Sequence, residues 1–202
     1  MRAKTALKDA LIVRQKFLCC YCESRITQNT SHIEHIEPQF GGISENSLEF
    51  SNMAASCIKD PSKPETLSYS DGITVLRDSY LHCGHARGTN RVVSPYDARC
   101  GHMFFYSFSG EIRVNENLTD PFEASLAADS IEFLRLNVPS LVEMRKLAMF
   151  ETVRMLGKSI SERDIFKEIN GRLPPFISAA QTACAAYEKT FKNSADDAQG
   201  SY

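Results

Sequence analysis

Between Leu18 and Cys57 the chain reads LCCYCESRITQNTSHIEHIEPQFGGISENSLEFSNMAASC, and this stretch gathers most of the side chains able to do chemistry. Cys19 and Cys22 form a Cys-x-x-Cys pair, and His32, Glu34 and His35 follow within a span of four positions. Two thiolates at that spacing grip one tetrahedral Zn²⁺ from a tight turn, and two further soft ligands must come from elsewhere. Cys57 and Cys83 are the best candidates because each borders a polar cluster, the second cluster reading HCGHARGTNR over 82–91. The alternatives are buried, unliganded thiols or a thioredoxin-like redox pair, and the latter needs a βαβ context that is missing here. Cys20, inside the motif, leaves open which pair would bind. A carboxylate beside a histidine suits phosphodiester hydrolysis. That reaction needs a base to activate water and a divalent cation to neutralise charge on the scissile phosphate and leaving oxygen. A single histidine is most often a satisfied core or surface residue. Here two of the five histidines flank one glutamate between candidate zinc ligands, which makes chance the poorer explanation.

The elements that must position these groups follow from the periodicity. Residues 5–17 place Ala6, Ala10, Val13 and Phe17 at helical spacing, predicting an amphipathic helix that leads into the Cys19 turn. Residues 31–37 fit a short strand and a turn stopped by Pro38, Phe40-Gly41-Gly42 a loop, and residues 47–57 a helix carrying Leu48, Asn52 and Ala55. Residues 58–72, with two prolines and a glycine, read as loop. Residues 102–114 predict a β-hairpin turning at Ser109-Gly110. From Asp120 the period becomes helical, giving four candidate helices: FEASLAADSIEFLRL, PSLVEMRKLAMFETVRML, SERDIFKEIN (stopped by Gly171) and PPFISAAQTACAAYEKTF. The last ten residues, from Asn193, read as disordered.

Composition sets the outer limits. At 202 residues, with 43% hydrophobic and 24% charged residues, the chain suits one globular domain or two small ones. A net charge of -2 gives bulk electrostatics no part in nucleic-acid binding, so any basic surface must be local. One local excess exists: Arg2, Lys4, Lys8, Arg14 and Lys16 against Asp9 alone within residues 1–18. A solvated helix face and a phosphate-contacting face explain it equally well. No run reaches transmembrane length and no signal-peptide core precedes it, so seven cysteines point to a reducing cytoplasm and to metal rather than disulfides.

Four pieces together carry a family resemblance: Cys19-x-x-Cys22, Glu34-His35-Ile36-x-Pro38, Asn52 five residues before Cys57, and Cys83-Gly84-His85-Ala86-Arg87-Gly88. The chain resembles the ββα-metal, or HNH, endonucleases, and within them the PtuB type of the Septu and retron anti-phage systems. The aromatic strand and Gly turn FFYSFSGEI, the run 133–137 and the run 141–145 extend the resemblance toward the C-terminus. It implies an α+β fold: a ββα-metal core over 1–118 with a zinc-binding cysteine cluster and a β-hairpin. A C-terminal helical region over 119–192 and a disordered tail over 193–202 complete it. It implies His35 as general base and Glu34 as ligand of a catalytic Mg²⁺ or Mn²⁺, with His85 the second ligand and His32 able to share ligation. Asn52 would fix the loop geometry and orient the base, with Asn46 as its competitor.

By the same resemblance Cys19, Cys22, Cys57 and Cys83 would hold a structural zinc, and Arg87 could contact a phosphate, alongside Arg14 and Lys16 from the basic stretch. The implied protein is a cytoplasmic nuclease, off the membrane. It would cut nucleic acid, DNA ahead of RNA, in a hetero-oligomer with a PtuA-like ATPase. The chain has no Gly-rich phosphate loop of its own, so ATP would belong to that partner. Glu34, where the family usually has Asp or His, and the 26-position gap from Cys57 to Cys83 depart from the pattern. They support the alternative, a zinc-braced nucleic-acid-binding or adaptor module that does not cut.

Overall fold

The computed structural model of the chain describes residues 2–37, 49–57 and 81–199. Pro38, the Phe40-Gly41-Gly42 loop, Asn46 and the loop over 58–72 lie outside these residues. Helix α1 (Arg2–Arg14) is followed by β1 (Ser31–His35), a 3₁₀ turn (Phe50–Asn52) and β2 (Met53–Cys57). Two one-turn helices, α2 (Gly84–Arg87) and α3 (Cys100–Met103), lead to the hairpin β3 (Phe104–Tyr106) and β4 (Ile112–Val114). Helices α4 (Pro121–Phe133), α5 (Pro139–Leu156), α6 (Glu162–Ile165) and α7 (Ile177–Gln199) complete the order. Among the described residues the result is a mixed α+β arrangement with two separate two-stranded antiparallel sheets, β1–β2 and β3–β4.

Helix α1 forms as predicted, with a different face inward. Leu11 and Ile12 are buried, whereas Val13, Ala6 and Ala10 are exposed. The larger aliphatic side chains remove more apolar area from water than alanines do, so they set the helix's rotation. The chain leaves the helix through Lys16 and Phe17, both at positive φ, and this reversal delivers Cys19 to the core.

The predicted helix over 47–57 is the main correction. Among its described residues, 50–52 form a single 3₁₀ turn and Met53–Cys57 is a strand, all five of its residues buried. Alanine's helix propensity is small against the gain from pairing β2 with β1, which runs from Ser31↔Cys57 to His35↔Met53. The outer edge of β2 is also satisfied. Gln15 brackets Ala55, its Nε2 donating to the Ala55 carbonyl at 2.7 Å and its Oε1 accepting from the Ala55 amide at 2.6 Å. The Cys20 amide donates to the same carbonyl at 3.1 Å. A buried edge strand needs such partners for every backbone group.

The hairpin at 104–114 is present, preceded by a short helix: Cys100-Gly101-His102 opens α3, with Met103 buried, rather than a strand. Helix α6 spans one turn only, not all of SERDIFKEIN. The chain instead makes a tight turn at Asn170 (φ 51°) and Gly171 (φ 77°), closed by an Ile169–Arg172 bridge. Two consecutive residues with positive φ favour Asn-Gly, a turn signal that outweighs the helical pattern before it. Helix α7 continues to Gln199, past Asn193, where the tail was expected to be disordered. Helices α5 and α7 pack on each other, and α7 also packs on β3. One apolar cluster includes Leu11, Cys57, Leu141 and Ala183, so the N-terminal part and the helical part share a core.

Candidate functional site

The two knuckles that hold the cysteines converge beneath β2. Cys19 and Cys22 come from the turn after α1, Cys57 ends β2, and Cys83 precedes α2 with φ 60°. All four are buried, and their sulfurs lie within 4.8 Å of one another. A soft set of four sulfur donors fits a metal ion, and all seven cysteines are free thiols. Cys20, flanked by both ligands, stays outside the group.

The thiols divide by environment. Burial raises Cys19, but hydrogen bonds from Cys20, Cys22, Cys57 and Cys83 outweigh it and hold the thiol well below its usual range. Burial and Cys19 also push Cys22 up, yet hydrogen bonds from Cys57 and Cys83 bring it down to about 6. Hydrogen bonding to Cys19 raises Cys57, and burial raises Cys83. Thiolate character is thus already favoured at two positions, as metal binding requires. Polar groups also reach the sulfurs. The Cys57 amide donates to Cys19 Sγ at 3.3 Å, and Ser24 Oγ lies 3.1 Å from Cys22 Sγ. His82 Nδ1 stands 3.1 Å from Cys83 Sγ and 3.6 Å from Cys57 Sγ. His82 had no assigned role in the sequence; its adjacency to Cys83 was the available signal.

The second group sits on β1 and α2, next to the cysteines. Side chains alternate across a strand, so His32 and Glu34 share one face of β1, and His35 leaves by the other. Glu34 Oε2 lies 3.2 Å from His32 Nε2, and the His32 and His85 ring centroids are 4.2 Å apart. Glu34 Oε1 accepts from Arg87 Nη1 at 2.8 Å and from the Tyr21 hydroxyl at 3.3 Å. Burial raises the Glu34 carboxyl, but the hydrogen bonds from His32 and Arg87 and the Arg87 charge more than offset it, so it sits below the usual carboxylate range. Glu34 is therefore an anion, paired with Arg87. The structure brings Glu34, His32 and His85 together and leaves His35 on the opposite face, partly exposed. Among the described residues, three or more ligand atoms gather within 4.8 Å at two places only. These are the four cysteines and Glu162, Cys184 and Glu188; the His32, Glu34 and His85 group is looser.

Gly84 explains how α2 comes so close to β1. A Cβ there would lie 2.2 Å from Glu34 Oε2 and 2.6 Å from His32 Nε2. Its amide donates to Ser56 Oγ at 3.2 Å, tying α2 to β2. Asn52 closes the far end of β1: its Oδ1 accepts from the Glu37 amide at 2.7 Å, and its carbonyl accepts from the Ile36 amide at 2.9 Å. It ends the 3₁₀ turn rather than lying on a helix, and holds the segment that carries His35.

Of the predicted phosphate contacts, Arg87 is 1% exposed, and each of its three guanidinium nitrogens donates to an acceptor within the chain. Arg14 is exposed and lies between two aromatic rings, with Cζ 4.5 Å from the Tyr96 centroid and 5.2 Å from that of Phe50. Lys16 is half-buried and pairs with Glu168 at 3.1 Å. Glu23, which had no assigned role, joins the first knuckle to α7: its carboxylate accepts from the Ser178 amide at 2.9 Å and the Ser178 hydroxyl at 2.5 Å. Cys184 is buried in α7, as a small apolar residue would be. Among the described residues no helix is long and apolar enough to cross a membrane.

No protein-family model matches the chain. A curated protein of Vibrio cholerae serotype O1 biovar El Tor, named "Retron Vc95 putative HNH endonuclease", is 28% identical over 146 residues. The matched part is 71% of this chain, and it spans 63% of the relative's length.

Proposed function

We propose that this chain is a metal-dependent HNH endonuclease that hydrolyses phosphodiester bonds, DNA ahead of RNA, as the effector of a retron- or Septu-type anti-phage system. In this reading Cys19, Cys22, Cys57 and Cys83 hold a structural zinc. Glu34, with His85 and His32, would hold Mg²⁺ or Mn²⁺, which supplies charge neutralisation at the scissile phosphate. His35 would accept a proton from the attacking water as the new P–O bond forms and the bond to the leaving oxygen breaks. Asn52 keeps the end of β1 in place for that transfer. A PtuA-like ATPase would be the partner, and Arg14 and Lys16 would meet the nucleic acid.

The observation that carries the reading is the convergence of a four-cysteine centre and an anionic Glu34 beside His32, whose ring in turn meets that of His85, both built around the β1–β2 pair. The likeness to a protein named as a retron HNH endonuclease supports it. A zinc-braced module that binds without cutting is the second reading. It is favoured by one observation: Arg87 already occupies Glu34 Oε1. Plasmid DNA and total RNA incubated with Mg²⁺ or Mn²⁺, with the ATPase present, separate the two. The nuclease reading requires cutting by the wild type, and His35 as its base requires loss of cutting in His35→Ala. Equal cutting by His35→Ala with normal zinc, together with loss in His32→Ala, would reassign the base. Absence of cutting by the wild-type complex with zinc bound would favour the non-cutting module.

A further inference from the structure

We infer that Arg87 is a positioning residue, clamping Glu34 and the end of β1 to the cysteine centre rather than meeting a phosphate; its effect on cutting rests on the nuclease reading above. Arg87 is among the largest fully buried side chains, and all three guanidinium nitrogens are engaged. The two N–H groups of Nη1 are shared among Glu34 Oε1 at 2.8 Å, the His35 carbonyl at 2.8 Å and the Tyr21 hydroxyl at 2.9 Å. Nη2 donates to the Ile36 carbonyl at 2.5 Å, and Nε to the Asn90 carbonyl at 2.9 Å. A residue that binds phosphate has to be reached by it, and here neither an exposed surface nor a spare nitrogen is left.

The placement of the partners gives the clamp its purpose. Arg87 closes the one-turn helix that begins directly after Cys83, and Tyr21 lies between Cys19 and Cys22. Both groups that hold Glu34 Oε1 therefore spring from the turns that carry the cysteines. The carbonyls of His35 and Ile36 lie where β1 leaves its ladder, so the same guanidinium also sets the backbone beneath His35. Burying a guanidinium is costly unless charge and hydrogen bonds compensate. A planar fork can satisfy a carboxylate and several carbonyls at once, whereas a lysine ammonium is a point charge without that geometry. The cysteine centre thereby determines where the Glu34 carboxylate points.

The test compares wild type, Arg87→Lys, Arg87→Met and Tyr21→Phe as full chains in complex with the ATPase and with matched zinc content. It uses plasmid-cleavage kinetics with Mn²⁺ over a salt series, and hydrogen exchange of the segment 31–37. The clamp predicts that both Arg87 variants lose roughly 100-fold in kcat, as displaced catalytic groups do, with salt dependence unchanged. It predicts a smaller kcat loss for Tyr21→Phe, and faster exchange over 31–37 in all three. A phosphate contact would instead raise KM and lower the salt slope by about one, which overturns the inference. If the Arg87 variants do not fold, Tyr21→Phe decides, and wild-type kcat and exchange in it overturn the clamp. If wild type itself cuts nothing, the nuclease reading falls, and exchange alone then judges the clamp, with unchanged protection at 31–37 refuting it.

Discussion

Replacing Gly84 with alanine tests the proposed centre without removing any polar group. Ordinary contact begins at 3.4 Å, so a Cβ at 2.2 Å forces Glu34 Oε2 back by 3.4 − 2.2 = 1.2 Å, and one at 2.6 Å forces His32 Nε2 back by 3.4 − 2.6 = 0.8 Å. Glu34 cannot retreat freely, because Arg87 and Tyr21 hold its other oxygen. Both groups proposed to carry the cation therefore move by about an ångström, a misplacement able to cost on the order of 10²-fold in rate. The overpacking costs about 1–3 kcal/mol, offset in part because alanine suits a helix better than glycine. The assay is initial-rate plasmid cleavage with Mg²⁺ or Mn²⁺ and the ATPase present, alongside zinc per chain and a thermal melt. Gly101→Ala is the control, since a Cβ there meets nothing within 4 Å. Wild-type cutting by Gly84→Ala with full zinc would refute the reasoning and place the chemistry away from Glu34 and His32.

Cys83→Ser removes one of four clustered sulfurs; bound zinc measured by atomic absorption should fall, and the melting temperature with it. A zinc chelator should lower the wild-type melting temperature in the same way, with recovery on adding zinc back, and indifference to the chelator would argue against a structural metal. Asn52→Ala deletes the acceptor for the Glu37 amide, costing about 1 kcal/mol in urea unfolding. Its cleavage rate should fall further than that stability loss accounts for, because the segment under His35 is released. A rate equal to wild type would remove Asn52 from the positioning of the proposed base.

The cysteine centre and the Glu34 group make one unit through short covalent paths. Tyr21 sits inside the Cys-x-x-Cys turn, and Gly84 and Arg87 follow Cys83 within four residues. Whatever fixes those turns also fixes the carboxylate. Glu23 carries the same connection onward, since its carboxylate holds the first turn of α7 and so links the knuckle to the helical layer.

What the sequence determined by itself was chemistry written in local spacing. Cys-x-x-Cys, the Glu34–His35 pair, the Ser109-Gly110 hairpin, and the α4 start at Asp120-Pro121 each depend on a few neighbouring residues. The choice of Cys57 and Cys83 could also be made from their polar surroundings, and the four sulfurs do meet. The tertiary structure decided the rest, wherever a distant partner outweighs a local preference. MAASC is a strand and not a helix because β1, Gln15 and Cys20 satisfy its backbone from both sides. Glu34 and His35, neighbours in sequence, part to opposite faces because a strand alternates. Arg87 reads as a surface cation in the sequence, and only the fold folds a carboxylate and three carbonyls around it, which is what makes burying its charge affordable.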